Sequence, residues 1–401
     1  MIFLLGVVLF AVGLGLSVAI HEFGHLLTAK AFGMKARRYF IGFGPKIWSF
    51  RRGETEYGLK AIPAGGFVDI AGFTSLDEVT PEERPRAFWQ FAAWKRLIVL
   101  AAGSFTHFVI AFVLLYLAAL TTGLPTDRAI ASEVTKCVPQ LDPATLAAKA
   151  CTASDPAGPA YRAGIRKGDE ITAINGAPVR TFQDVVEKLS GNPGERVVVT
   201  YTRDGQAHTT GMTVATVTRP VDVGGKGKKV GAIGVAAALM LREGPIAAAP
   251  VTGNFIGQLL TSTFHALGAL PDKVPSVLRA IEGHKRDPNG PVSVVGVSRA
   301  GGQALQAGSW FFFLGLLAAF NVFIGLFNLL PLLPLDGGHV AILLFERARG
   351  RVAKLFGRAD PGSVDLTKLM PVTVAVVVIF GAISVLTILA DIVNPIANPF
   401  Q

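Results

Sequence analysis

Four long apolar runs, at 2–29, 97–124, 311–335 and 369–390, constrain this chain more than any other feature. A helix of about 20 apolar residues crosses the hydrocarbon core of a bilayer, and each run is long enough. With 51% hydrophobic and 16% charged residues among 401, the chain is too apolar for a single soluble globule. Its formal net charge of +10 would by itself suggest a polyanionic partner. There is no basic tail, zinc-finger spacing or aromatic-basic interleaving, so no nucleic-acid partner is expected. The first run lacks a positive leading region and is too long for the apolar part of a signal peptide, so it is read as a retained span.

Lys and Arg near span ends mark the cytoplasmic side of a membrane protein. The connection after run one carries Lys30, Lys35, Arg37, Arg38, Arg51, Arg52, Lys95 and Arg96. The one after run three carries Arg347, Arg349, Arg351, Lys354 and Arg358. Both are expected in the cytoplasm, with both termini and the long segment between runs two and three outside. Cys137 and Cys151, the only cysteines, fall in that outer segment, where an oxidising compartment permits a disulfide. Spacing leaves a bridge and two free thiols equally open.

Inside run one stands His21-Glu22-Phe23-Gly24-His25. Residues four apart share a helix face, so both imidazoles can bind one metal while Glu22 reaches a water beside it. Two histidines and a carboxylate in hydrocarbon are costly unless paired or bound to metal, which marks them as functional. Zinc with two histidines needs a third protein ligand and an open position. Run three ends in Asn321…Asn328-Leu-Leu-Pro331-Leu-Leu-Pro334-Leu335-Asp336-Gly337-Gly338-His339. Asp336 is the leading candidate, because the prolines and glycines around it break the helix and let the carboxylate turn inward. His339 is a rival ligand, although adding it would fill the open position; a structural or supporting role suits it better. Asn321 and Asn328 are read as a polar lining for an unwound substrate strand, the alternative being packing residues with satisfied amides.

Between runs one and two, the stretches 39–50 and 56–68 are apolar and aromatic and are joined by a charged turn, the pattern of a β-hairpin. Its glycines permit close approach by another backbone, and its faces suit dipping into the membrane; a plain cytoplasmic hairpin is the alternative. In the outer segment, Gly158-Pro-Ala-Tyr-Arg-Ala-Gly164…Gly168-Asp169-Glu170-Ile171…Asn175-Gly176, a helical stretch at 181–189 and a strand ending at Asp204-Gly205 together resemble a PDZ domain of the bacterial protease type. Such domains bind peptides by adding a strand to a sheet edge. A size filter without a peptide ligand is the alternative.

The HExxH in the first span, the Gly-rich hairpin after it, the PDZ-like unit between spans two and three and the Asn…Leu-Asp-Gly run in the third resemble the site-2 protease family of intramembrane zinc metalloproteases (M50 type). The wording Arg37-Arg38-Tyr39-Phe40-Ile41-Gly42-Phe43-Gly44-Pro45 is most similar to the actinobacterial branch that cleaves anti-sigma factors. The resemblance implies that His21, His25 and Asp336 bind Zn2+, that Glu22 is the base, that Asn321 and Asn328 contact substrate, and that Gly42, Phe43 and Gly44 pair with it. One region departs from the pattern: where the family has Gly-Pro and then Asn in the second span, this chain has Gly103-Ser104-Phe105-Thr106-His107. His107 is expected to bridge helices in place of that Asn, the alternative being an approach to the metal.

The expected fold is therefore an α-helical integral membrane protein with four transmembrane helices, a membrane-associated β-hairpin and one extracytoplasmic PDZ (α+β) domain. Its expected segments are a first span over 1–31, a hairpin region over 32–95, a second span over 96–124, a linker over 125–152 and the PDZ unit over 153–235. After these come a membrane-skirting helical connector over 236–309, a third span over 310–345, a basic cytoplasmic loop over 346–368, a fourth span over 369–393 and a tail over 394–401. The expected activity is hydrolysis of peptide bonds within single-span membrane proteins such as anti-sigma factors, after a first cut, in a bacterial plasma membrane. A zinc transporter would show more polar helices or internal repeats. A PDZ-bearing scaffold with a silent site has to account for the intact His21, Glu22, His25 and Asp336.

Overall fold

Apolar residues on every side make the first helix, α1 (Ile2–Ala31), one that only a bilayer or other helices can surround. This computed structural model describes residues 1–401 except 75–76, 141–148, 153, 221–226, 288–289, 360–361, 399 and 401. The chain forms two units, one of 1–121 with 243–401 and one of 122–242.

In the first unit α1 stops at Phe32 and Gly33, whose φ of +84° suits glycine. Strands β1 (Ala36–Arg52) and β2 (Thr55–Ile70) follow, then α2 (Ala93–Thr121). The expected hairpin is present but doubled on itself. Residues 38–41 pair on one side with 66–69 and on the other with 56–59, while 46–52 pair with 55–60. Gly42 makes this bend possible: its φ is +89°, and a Cβ there would lie 2.8 Å from the carbonyl oxygens of Lys60 and Ile62. The charged turn is consequently not the free tip. Glu54 accepts hydrogen bonds from Lys35 and Arg86, which tie it back to the base of α1. Its carboxyl is held down at about 2, chiefly by the Arg86 guanidinium. What protrudes is the bend, where Phe43, Ile47, Trp48, Leu59 and Ile62 are exposed.

The second unit opens with β3 (Leu124–Pro125) and β4 (Ala131–Val134), then α3 (Pro159–Arg162), β5 (Glu170–Ile174), β6 (Ala177–Pro178), α4 (Phe182–Ser190), β7 (Arg196–Arg203) and β8 (Gln206–Thr213). It closes with β9 (Ala215–Pro220), β10 (Gly227–Ala232), β11 (Val235–Ala237) and β12 (Met240–Leu241). The central sheet has the order β6-β5-β7-β8 over a core including Ile171, Val185, Val197, Val199 and Val214. Helix α4 begins with a capping box in which Thr181 and Asp184 satisfy each other's backbone amides. Burial pushes the Asp169 carboxyl up, but the Arg203 fork and the Arg166 amide outweigh it and hold the group below its usual range. Cys137 and Cys151 form a disulfide. The unit starts earlier than the linker reading allows, because β4 pairs with β11 and so belongs to the fold.

Residues 245–306 make three helices, α5 (Pro245–Gly268), α6 (Leu270–Ile281) and α7 (Val294–Gln306). Of these, α7 packs along α1 and α5 packs on α2. Small residues permit the first contact: a Cβ on Gly6 would lie 2.8 Å from Gly302 Cα. Helix α8 (Trp310–Asn328) ends seven residues before the apolar run does, because Pro331 and Pro334 cannot donate to a helical ladder. Helix α9 (Asp336–Leu355) then runs through the first part of the expected basic loop, and α10 (Met370–Val393) completes the chain's regular structure. Among the described residues, four helices are long and apolar enough to cross a membrane: Ile2–Ala31, Ala93–Thr121, Trp310–Asn328 and Leu366–Val393. Of the expected segments, 75–76 of the hairpin region, 141–148 of the linker, 153 and 221–226 of the PDZ region, 288–289 of the connector, 360–361 of the loop, and 399 and 401 of the tail lie outside the described residues.

Candidate metal centre

His21 and His25 project from one face of α1, and both are buried. Asp336 reaches them from the first turn of α9, where the positive end of the helix dipole favours a carboxylate. Backbone packing holds it there. A Cβ on Gly338 would lie 2.7 Å from Leu332 C, and one on Gly337 would collide with the Leu329 and Leu330 carbonyls. The two glycines thus let segment 329–333 fold directly over the start of α9.

His21 Nε2, His25 Nε2 and Asp336 Oδ2 lie 3.2, 3.3 and 3.4 Å from one another. Donors at about 2.0–2.2 Å around a tetrahedral zinc are separated by about 3.3–3.6 Å, so the three atoms have the spacing of one face of such a site. Their chemistry agrees. The His25 Nδ1–H donates to the Val99 carbonyl at 2.7 Å, which leaves a lone pair on Nε2. Asp336 Oδ2 is buried and accepts no hydrogen bond. Converging lone pairs in an apolar site are unfavourable without a cation between them, so the residues present fit a zinc ion.

Helix α2 closes the site from the other side. A Cβ on Gly103 would lie 2.7 Å from His21 Nε2 and collide with His25 Nε2. Gly24 is equally tight, with Thr106 Cγ2 2.7 Å from where its Cβ would be. Glu22, next to the first ligand on α1, faces the β2 segment: a Cβ on Gly66 would lie 3.0 Å from its Cγ. The hydroxyl of Tyr39 donates to the Ala19 carbonyl at 2.7 Å and fixes the sheet against α1 at this level.

The remaining sequence candidates are placed differently. His107 is buried on α2, its Nδ1 is 2.8 Å from Asn321 Oδ1, and its ring centre is 5.0 Å from that of His21. The Asn321 side chain is fully buried: its Nδ2 donates to the Leu317 carbonyl one turn earlier on α8, and its Oδ1 meets His107 across the α2–α8 contact. One N–H and one lone pair of the amide are engaged in this way, which leaves one of each for a further partner. Asn328 is the partly exposed last residue of α8. His339 is not among the clustered ligand atoms and packs its ring 5.0 Å from that of Phe73. Gly42 and Gly44 make the bend in β1, and Phe43 stacks on Phe67; the β-residues brought to Glu22 are Gly66 and Val68, whose backbone amide donates to the carboxylate. Sequence reasoning missed Gly66, Gly103 and the Val99 carbonyl. A glycine within a span, one turn ahead of a polar residue, was the available signal for Gly103.

A model of Peptidase family M50 matches residues 9–359. The zinc metalloprotease Rip1 of Mycobacterium bovis is 44% identical over 406 residues, covering 99% of this chain and 99% of the relative. Rip1 of Mycobacterium tuberculosis is also 44% identical, and Rip1 of Mycolicibacterium smegmatis is 41% identical over 412 residues, with the same coverage. The HExxH helix, the Asp336 turn and the match across most of the sequence agree: the chain belongs to peptidase family M50, the site-2 proteases.

Proposed function

We propose that this multi-pass membrane protein is a zinc-dependent endopeptidase that cuts peptide bonds inside single-span membrane proteins, with His21, His25 and Asp336 as the metal ligands and Glu22 as the proton carrier. The observation that carries the reading is the triangle of ligand atoms at 3.2–3.4 Å, set between apolar helices with a carboxylate beside it. Zinc, when bound there, supplies Lewis acidity toward a carbonyl oxygen and toward water. Glu22 takes the proton released by the attacking water and delivers it to the leaving amine nitrogen. The Val99 carbonyl holds the His25 ring in the tautomer that leaves Nε2 free. Gly103 leaves the space that both rings occupy.

A helical substrate hides its carbonyls in its own hydrogen bonds, so a strand must be drawn out of it before hydrolysis. Among the described residues, segment 66–70 pairs with β1 on one side only and meets Glu22 at Gly66, which makes it the natural edge for such a strand. This moves the pairing role from Gly42, Phe43 and Gly44 to the neighbouring segment, with the exposed aromatic bend of the same sheet set toward lipid. Asn328, partly exposed near the break, is suited to contact substrate.

We read unit 122–242 as a PDZ domain facing the outside of a bacterial plasma membrane. Its four-stranded sheet with two helices supports this, as do the disulfide and the basic loops at the other ends of the spans. Among the described residues β11 is paired only with β4, so its other edge is open to a peptide. Anti-sigma factors left as short single-span remnants by an earlier cut are the substrates we assign. The test is Glu22→Gln: zinc content by metal analysis stays at the wild-type level while cleavage of a single-span test substrate in proteoliposomes falls by about a thousandfold or more, within the range seen when a general base or nucleophile is removed. Cleavage at the wild-type rate would overturn the mechanism.

A further inference from the structure

At the N-terminal end of α2, a cavity of about 430 Å³ lies between α2, α9 and the loops before α2 and α10. Gly72, Phe73, Phe88, Trp89, Leu100, Ile342 and Leu343 give it largely apolar walls. Two charged side chains, Arg96 and Glu346, line it together with His339. Their situations differ. Glu346 Oε1 already accepts from the Val364 amide at 2.7 Å. Arg96 is half-buried with its Nε fully enclosed; it feels the Glu346 carboxylate and lies 5.9 Å from the Phe88 ring, but among the described residues its guanidinium makes no hydrogen bond to protein. A half-buried guanidinium carries five donors in a fixed fork, and leaving them unused is costly.

We propose that this cavity is a binding site for a phospholipid with an anionic headgroup, its phosphate on Arg96 and the upper part of its chains against Trp89, Phe73 and Ile342. Three observations converge on that class of ligand. The donor fork matches a phosphate in geometry and charge. The first turn of α2 also carries Trp94 and Lys95, an aromatic-basic pairing typical of the level where headgroups lie. Finally, the volume falls within the range of pockets that hold small molecules, and the walls are apolar where acyl carbons would lie. Glu346 and His339 complete the lining on one face of α9, so an occupant would brace the helix that begins with Asp336.

Native mass spectrometry of the full chain in detergent tests this without reference to cleavage. Phosphatidylglycerol is expected to bind at least about tenfold more tightly than phosphatidylcholine. Arg96→Gln should lose about tenfold or more of that affinity, as expected for one charge-assisted hydrogen-bonding group. Ile342→Trp, which fills the cavity and keeps Arg96, should lose a similar amount and carries the test if Arg96→Gln does not yield folded protein. Wild-type binding by either folded variant, or equal affinity for the two lipids, would overturn the proposal. Displacement of the lipid by millimolar inorganic phosphate would overturn the lipid assignment in favour of a soluble phosphate.

Discussion

Single residues decide whether three ligand atoms can meet in a site this crowded. Gly103 is the sharpest case: both histidines occupy the space a Cβ would fill. Gly103→Ala should cost about 1–3 kcal/mol of overpacking and lower zinc occupancy, since the nearest groups able to yield are the ligand rings themselves. Thermal unfolding in detergent and metal analysis check the two halves; wild-type zinc content would show that α1 and α2 can part without disturbing the site. The HExxH spacing and the acid at Asp336 were legible in the sequence because their chemistry is carried by residue type and helical period. Gly103 and the Val99 carbonyl were not, because a void and a backbone acceptor acquire meaning only when a second helix is laid against the first. Asn321 shows the same limit: a polar residue in a span announces a partner, yet the identity of that partner as His107, 214 residues earlier in the chain, is set by how α2 and α8 cross.

At the level of elements, the sequence pattern predicts strands where strands are found and a helix break where the prolines are. What it left open was the doubling of the sheet. Alternating apolar residues describe a hairpin, while the long-range pairing of 38–41 with two partners depends on the bend at Gly42. The same bend returns the charged turn to Lys35 and Arg86, and a pH dependence follows. Glu54 has its carboxyl lowered from the usual 4.5 to about 2. Because the folded-state value is depressed, the stabilisation is complete above the unfolded value and is lost as pH falls from about 4.5 toward 2. Hydrogen exchange of the amides around Gly53 should be steady from pH 7 to 5, after correction for intrinsic rates, and should report opening below about 4 in the wild type. Glu54→Gln should open the turn already at pH 7. Identical protection in the two proteins would show that the ion pairs do not anchor the turn.

Across the whole molecule, the metal centre joins positions more than three hundred residues apart in sequence, and the break between α8 and α9 is as much a part of it as α1. Chain order explains why the sequence shows the site in halves: residues 122–242 form a separate unit inserted between them. Closing so long a loop around one ion makes zinc a cross-link as well as a reagent, so the ligand set bears on both folding and chemistry. Zinc content per chain, measured by metal analysis of purified full-length wild type, Asp336→Ala and His339→Ala, tests that set most directly. The account predicts about one zinc in the wild type and in His339→Ala and a clear loss in Asp336→Ala. Retention of zinc by Asp336→Ala, with loss in His339→Ala, would contradict it.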